Sequence, residues 1–160
     1  MKAITLQDPW ASLVRLNEKH VETRSWSTKY RGPLLIHASK KSDVKNLNLA
    51  LTGPFYSALS MQRSIVNGIP KFEYNPGYII AKCNLADCIE IIAEDGLFHP
   101  VRAYLMNGSI VEGNEYCFGD YTPGRFAWIL EDIEPLEKPI SAKGRLGLWE
   151  FDLEGALNHG

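Results

Sequence analysis

Residues 19–40 read KHVETRSWSTKYRGPLLIHASK. Lys19, Glu22 and Arg24 lie within six residues, Trp26 and Tyr30 follow, and Arg31-Gly32 leads into the apolar run Pro33 to Ile36, closed by His37-Ala38-Ser39-Lys40. Side chains alternate along an extended chain, so Glu22, Arg24 and Trp26 share one face of residues 21–26 while Val21, Thr23 and Ser25 share the other. The run 33–38 lacks that polar alternation, which predicts a strand covered on both faces. A polar strand beside a buried one predicts a polar cleft at the edge of a sheet. The competing reading is a set of charges paired on a solvated edge, where isolated ion pairs contribute little.

The residue types in this stretch suit recognition of an anionic, aromatic ligand. Glu22 and Arg24 can brace each other, or can present an acceptor and a five-donor fork. Trp26 offers a flat face on which a base can stack, or packs against a neighbouring strand. Tyr30 and Arg31 add a second aromatic ring and a second guanidinium. A lone histidine such as His37 in an apolar strand is more often a core or edge residue than a catalyst, but Ser39 and Lys40 follow it and gather donors at the strand end. Near the other end of the chain, Lys143-Gly144-Arg145 is a basic, glycine-punctuated loop that can reach a phosphate or remain solvated.

Outward from this stretch, residues 2–6 read as a first strand. Asp8-Pro9 predicts a helix start with Asp8 as N-cap and Pro9 in the first turn. Trp10, Leu13 and Val14 recur at helical spacing, which makes Trp10 a packing residue. Asn17 suits the left-handed conformation that ends such a helix. Residues 41–76 predict a helical insertion: Val44, Leu47 and Leu51 recur, Gly53-Pro54 interrupts, and a second helix runs from Phe55 to the Asn67-Gly68 and Pro70 breaks. Residues 77–92 predict a long strand with a bend or bulge near Asn84 and Asp87. Residues 94–124 mix turn signals with aromatics; His99-Pro100 predicts a short helix through Leu105, and a segment this long suits the flank of a cleft. Residues 125–136 form a further strand, LWEF at 148–151 the last, and the tail a short helix or a disordered end.

The chain has 160 residues, 45% hydrophobic and 22% charged, which suits one folded domain. Its formal net charge is −2, so a general basic footprint for coating nucleic acid is excluded and any such contact must come from a local patch. The three cysteines, Cys83, Cys88 and Cys117, lack CxxC spacing, which argues against a disulfide framework or a zinc knuckle and for a reducing cytoplasm. No signal peptide and no stretch of membrane-spanning length is read. Dinucleotide, P-loop, zincin and nucleophile-elbow motifs are absent, so neither a cofactor nor a metal is expected. About five or six strands with helices before and between them predict an α+β fold built on a small β-barrel with peripheral helices.

The segments QDPWASLV and NEKHVETRSWSTKYRGPLLIHASKK resemble the ASCH family, named for activating signal cointegrator homology, within the PUA-like superfold. The family pattern is roughly G-x-K-x-x-E-x-R; Lys19, Glu22 and Arg24 match it, with Asn17 at the glycine position. The resemblance continues through GYIIAKCNLADC and GRFAWILEDIEPLEKPISAKGRLGLWEF. It implies one PUA-like domain over residues 1–160 with a cleft facing the motif, and a link to RNA or other nucleic acid. The residues expected to hold such a ligand are Lys19, Glu22, Arg24, Trp26, Tyr30, Arg31, His37, Ser39, Lys40, Lys143 and Arg145. Some relatives are metal-independent hydrolases of RNA or of an acetylated cytidine. In an enzyme of that kind Lys19 would be the base, helped by Glu22, with Arg24 or Lys40 stabilising negative charge. The amidohydrolase type carries a threonine nucleophile three residues after the lysine; here that position is Glu22, and Thr23 turns to the other face. A lysine acts as a base near neutral pH only where burial lowers its pKa, and a carboxylate beside it opposes that shift. Binding therefore ranks above hydrolysis. No membrane partner is expected, and the sequence leaves the oligomeric state open.

Overall fold

In the computed structural model, which describes residues 1–60, 64–66, 69–71, 74–96 and 101–158, the chain is a mixed α+β protein. In chain order, β1 is Lys2–Leu6, α1 Trp10–Arg15, β2 Val21–Arg24 and β3 Gly32–Ala38. Helices α2 Val44–Leu49 and α3 Gly53–Ser60 follow, then short strands β4 Ser64–Val66 and β5 Ile69–Lys71. The remaining elements are β6 Tyr78–Asp95, β7 Arg102–Leu105, β8 Ile110–Glu112, α4 Gly113–Cys117, β9 Phe126–Ser141, β10 Leu148–Glu150 and α5 Leu153–Asn158. The chain forms two compact units: Met1–Glu18, Pro33–Cys83 and Asp132–Gly160 in the first, Lys19–Gly32 and Asn84–Glu131 in the second. No helix among the described residues is long and apolar enough to cross a membrane.

In the first unit the hydrogen-bonded order is β10-β1-β3-β6. β1 lies parallel to β3, from Lys2↔Leu34 to Leu6↔Ala38, and antiparallel to β10. A parallel pair needs a long connection, and the segment carrying α1 lies within it. Leu34, Leu35 and Ile36 are all fully buried, as their unbroken apolar run predicts. Leu35 joins Ala3, Ile79 and Trp149 in one core cluster. Leu13 and Val14 of α1 are fully buried, and Trp10 meets Phe55 of α3 edge to face at 6.4 Å. The helix starts one residue later than expected: Pro9 is the N-cap position and carries no side-chain cap bond. Asp8 still accepts from the Ser12 N–H at 3.1 Å and from the Ser12 hydroxyl at 2.5 Å. Burial pushes the Asp8 carboxyl above the usual carboxylate range, against the lowering effect of the Ser12 bonds.

In the second unit β2 pairs antiparallel with β9, Val21↔Ile129 to Arg24↔Phe126, while β6, β7 and β8 form a meander. Val21, Ile89, Ile91, Ala103, Leu105, Val111, Tyr121 and Ala127 make its core. The period-two pattern of β2 is visible in its burial: Val21 and Thr23 are buried, Glu22 and Arg24 partly exposed.

Three expectations change. The large sheet has eight strands, not five or six, and its path is open, running from β10 to β8 with β2 and β9 off it. The additional strands β7 and β8 have only four and three residues, too short for a periodic signal. Residues 102–105 are strand where a helix is predicted, because Ala103 and Leu105 pack inward on a two-residue period; the expected helix start at His99-Pro100 lies outside the described residues. The second helix of the insertion is described over Gly53–Ser60, and Ser64–Val66, where helix is expected, pairs as a strand with Ile69–Lys71; the Asn67-Gly68 break lies outside the described residues. In its pairing with β7, β6 shifts register between Ile91 and Ala93.

Asn17 adopts φ +60, the left-handed conformation its sequence position predicts. Asn17→Gly is therefore expected to stay within about 0.5 kcal/mol of the parent protein in urea unfolding, while Asn17→Val loses about 1–2 kcal/mol through its β-branched clash.

Candidate functional site

The candidate residues fall into two groups, one in each unit. In the second unit, Lys19 sits just before β2, while Glu22 and Arg24 share one face of that strand, opposite Trp128 and Phe126 of β9. Exposure of these side chains falls from 26% for Arg24 through 14% for Glu22 to 1% for Lys19. Glu22 lies between the two cations: its Oε1 is 3.1 Å from Arg24 Nε and its Oε2 is 3.6 Å from Lys19 Nζ. Lys19 Nζ also donates to the Val21 carbonyl. An ammonium taken out of water needs such partners, because desolvation costs several kcal/mol.

The backbone at this point is held from a distance in sequence. The His20 and Val21 N–H groups each donate to a Glu115 carboxylate oxygen at 2.9 Å. His20 Nδ1 lies 3.6 Å from the same carboxylate. Glu115 is in α4, and its own carbonyl accepts from the Tyr121 hydroxyl at 3.3 Å. Burial, with the Glu115 and Glu22 charges adding to it, pushes the Tyr121 phenol up, so it remains a donor. On the other face of β2, Thr23 Oγ1 accepts from the Asp120 N–H at 3.1 Å and the Thr23 carbonyl accepts from Arg125 at 3.3 Å.

Trp26 is half-buried and meets Trp128 edge to face, with ring centroids 4.7 Å apart; Trp128 Nε1 donates to the Trp26 carbonyl at 3.4 Å. The packing reading of Trp26 is the one seen, in a ring that keeps part of its surface exposed. Tyr30 is half-buried, and its backbone N–H donates to Thr28 Oγ1. Gly32 has φ +123, and a Cβ there would lie 3.5 Å from the Tyr30 hydroxyl, so the turn needs glycine for its backbone. Arg31 is tied to Asp87 at 2.7 Å and to the Thr28 and Tyr30 carbonyls at 2.9 and 2.8 Å. A Cys88 backbone bond and then Arg31 hold the Asp87 carboxyl below its usual range.

In the first unit, His37 is 1% exposed. Its Nε2 lies 3.1 Å from the Ala142 carbonyl, and its ring meets Trp149 edge to face at 5.7 Å. Burial lowers its pKa, against the effect of the Ala142 bond. Ser39 closes a local turn: its hydroxyl donates to the Lys41 carbonyl and its N–H to the Leu6 carbonyl. Lys40, Lys143 and Arg145 are exposed. Cys83, Cys88 and Cys117 are free thiols, and burial pushes Cys83 up to about 12. Among the described residues no group of His, Cys, Asp or Glu is placed to hold a metal ion.

The family model for the ASCH domain matches residues 4–140, which includes the Lys19, Glu22 and Arg24 pattern. The chain belongs to the ASCH domain family. No individually curated protein matches it. The match runs through residues of both units of this ASCH domain. Glu115, Asp87 and Trp128 are the members of the constellation that sequence reading does not assign. Glu115 lies 95 residues from His20, and its only sequence signal is its place in the turn-rich segment 94–124 expected beside the cleft.

The arrangement predicts strong coupling between Lys19 and Glu22. Glu22→Gln is expected to cost about 2–3 kcal/mol in urea unfolding, because it leaves a buried ammonium short of its counter-charge. Adding Lys19→Met to that variant is expected to cost no more than the single change, giving a coupling energy of about 1 kcal/mol or more in a double-mutant cycle.

Proposed function

We propose that this ASCH domain binds single-stranded RNA through the surface carrying Arg24, Trp26 and Tyr30. The observation that supports this most is the placement of Glu22, which holds Arg24 on one side and the buried Lys19 on the other. Arg24 Nε is buried 3.1 Å from the Glu22 carboxylate, an ion pair without hydrogen-bond alignment, and the guanidinium carries the donor set suited to a phosphate or a base edge. Trp26 supplies a partly exposed aromatic face beside it in sequence, and base stacking on such faces tolerates any sequence. Residues 19–32 carry four Lys or Arg against one Glu, in a chain whose net charge is −2. With Lys19 buried and Arg31 paired with Asp87, the cations this stretch brings towards the surface near Trp26 and Tyr30 in sequence are Arg24 and Lys29, and a non-basic RNA binder requires such a local contact.

In this reading Lys19 is a positioning residue and Arg31 holds the 28–31 loop; within the first unit, Lys40, Lys143 and Arg145 are exposed cations able to meet a phosphate. The same proposal treats residues 1–160 as one PUA-like domain working in a reducing compartment; the family match over residues 4–140 and the free thiols support it. Hydrolysis is less favoured. Thr23, the nearest hydroxyl on β2, is 9% exposed and already accepts from the Asp120 N–H, and the Lys19 ammonium is committed to Val21 and Glu22.

Titration of tryptophan fluorescence with single-stranded RNA of mixed sequence tests the proposal. Arg24→Ala is expected to weaken binding about tenfold and to lower the salt slope by about 0.7, while Lys2→Ala, paired with Glu150, leaves both unchanged. Saturable binding that Arg24→Ala does not alter would remove the proposed surface. Chromatography of the same incubations in EDTA reads out cleaved RNA or deacetylated nucleoside, and a Lys19-dependent product would replace binding with catalysis.

A further inference from the structure

The loop between β9 and β10, residues 142–147, is seated on a buried imidazole. His37 Nε2 donates to the Ala142 carbonyl at 3.1 Å, and Nδ1 is buried with no hydrogen-bond partner. Gly144 lies against the same ring: a Cβ there would come within 2.5 Å of His37 Cε1, 2.8 Å of Nδ1 and 2.9 Å of Thr5 Oγ1. Thr5 ties the assembly together, its hydroxyl donating to the Arg145 carbonyl at 3.2 Å and accepting from Trp149 Nε1 at 3.2 Å. Trp149 closes the ring's flank. The loop therefore docks through three contacts on its backbone, which leaves the side chains of Lys143 and Arg145 in solvent.

We infer that His37 is a proton-gated positioning residue: neutral, it latches the basic loop in place, and protonated, it releases it. The neutral ring is the tautomer with the proton on Nε2, and its unpartnered Nδ1 lone pair faces Gly144. Protonation puts an N–H and a charge at a buried point that offers no acceptor, a large cost in a desolvated site. The groups that meet the ring are Thr5 from β1, Ala142 and Gly144 from the loop and Trp149 from β10, all uncharged, and no carboxylate among the described residues acts on it. Lys143 and Arg145, which flank Gly144 in sequence, oppose a further positive charge. Burial lowers the imidazole pKa, so the latch is complete above the ordinary histidine value of 6.5 and weakens as pH falls through it towards the lowered one. In that window the released-to-latched ratio rises by up to about tenfold per pH unit. The consequence for RNA rests on the reading of Lys143 and Arg145 as phosphate contacts; the latch itself does not.

Native-state hydrogen exchange reads the latch without any ligand. The Ala142 N–H donates to the Gly77 carbonyl at 3.0 Å and is the reporter. Its protection factor, which already removes the intrinsic pH dependence of exchange, is expected to fall several-fold between pH 7.5 and 5.5. In His37→Gln, whose neutral amide can still reach the Ala142 carbonyl, it is expected to be constant within twofold. Gly144→Ala, which pushes the loop off the ring, is expected to show low protection at both pH values. Equal protection at both pH values in the unaltered protein, or the same fall in His37→Gln, overturns the latch; should His37→Gln not fold, the Gly144→Ala arm decides alone, and full protection there overturns it. If the latch responds to pH while RNA affinity does not, the latch stands and the assignment of Lys143 and Arg145 to RNA falls.

Discussion

A buried ammonium constrains the second unit. Lys19 is fully enclosed, and its charge is met by the Val21 carbonyl and the Glu22 carboxylate. Unit charges at about this range attract by about 4 kcal/mol at an effective dielectric of 20, and desolvating the ammonium costs several kcal/mol. The two terms nearly cancel, so the pair adds little net stability. What it does is make the geometry obligatory: Glu22 cannot turn away without stranding the charge beneath it. Arg24, held by the other carboxylate oxygen, inherits that order at a more exposed position. The falling exposure from Arg24 through Glu22 to Lys19 is the mark of a surface cation positioned from beneath.

The backbone that carries this chain of charges is fixed by Glu115, whose two oxygens take the N–H groups of His20 and Val21 at the start of β2. Those groups lie at the start of the β2–β9 ladder and would otherwise need water or a turn. The first unit solves a similar problem with an uncharged group. There a neutral imidazole and a threonine hydroxyl hold a basic loop by its backbone. In the first unit the groups that hold the loop are uncharged, and the side chains of Lys143 and Arg145 stay exposed.

Much of this was legible in the sequence. Residues 34–38 of the apolar run have the burial of a covered parallel strand, the alternation in 21–24 is real, and Asn17 takes the positive φ that its place after α1 implies. The pattern of Lys19, Glu22 and Arg24 does bring three charges together. What the pattern withholds is depth. Spacing alone treats Lys19 and Arg24 as equivalent cations, whereas one is sealed and the other is not. His37 was legible as a core histidine more than as a ligand contact, but its partners Ala142 and Gly144 are more than a hundred residues away. Glu115 was hidden because the segment around it consists of strands of three and four residues and a five-residue helix, too short for periodicity to mark. The open eight-stranded sheet was undercounted for the same reason.

The most direct test is a nuclear magnetic resonance titration of the arginine side-chain N–H groups with single-stranded RNA. With Arg24 braced by Glu22, its Nε–H signal is expected to be visible and slow to exchange before RNA is added, and its guanidinium signals to shift as RNA binds, while those of Arg102, which is paired with Glu112, remain in place. An Arg24 signal that exchanges freely in the unbound protein and does not move on saturation with RNA would contradict the account.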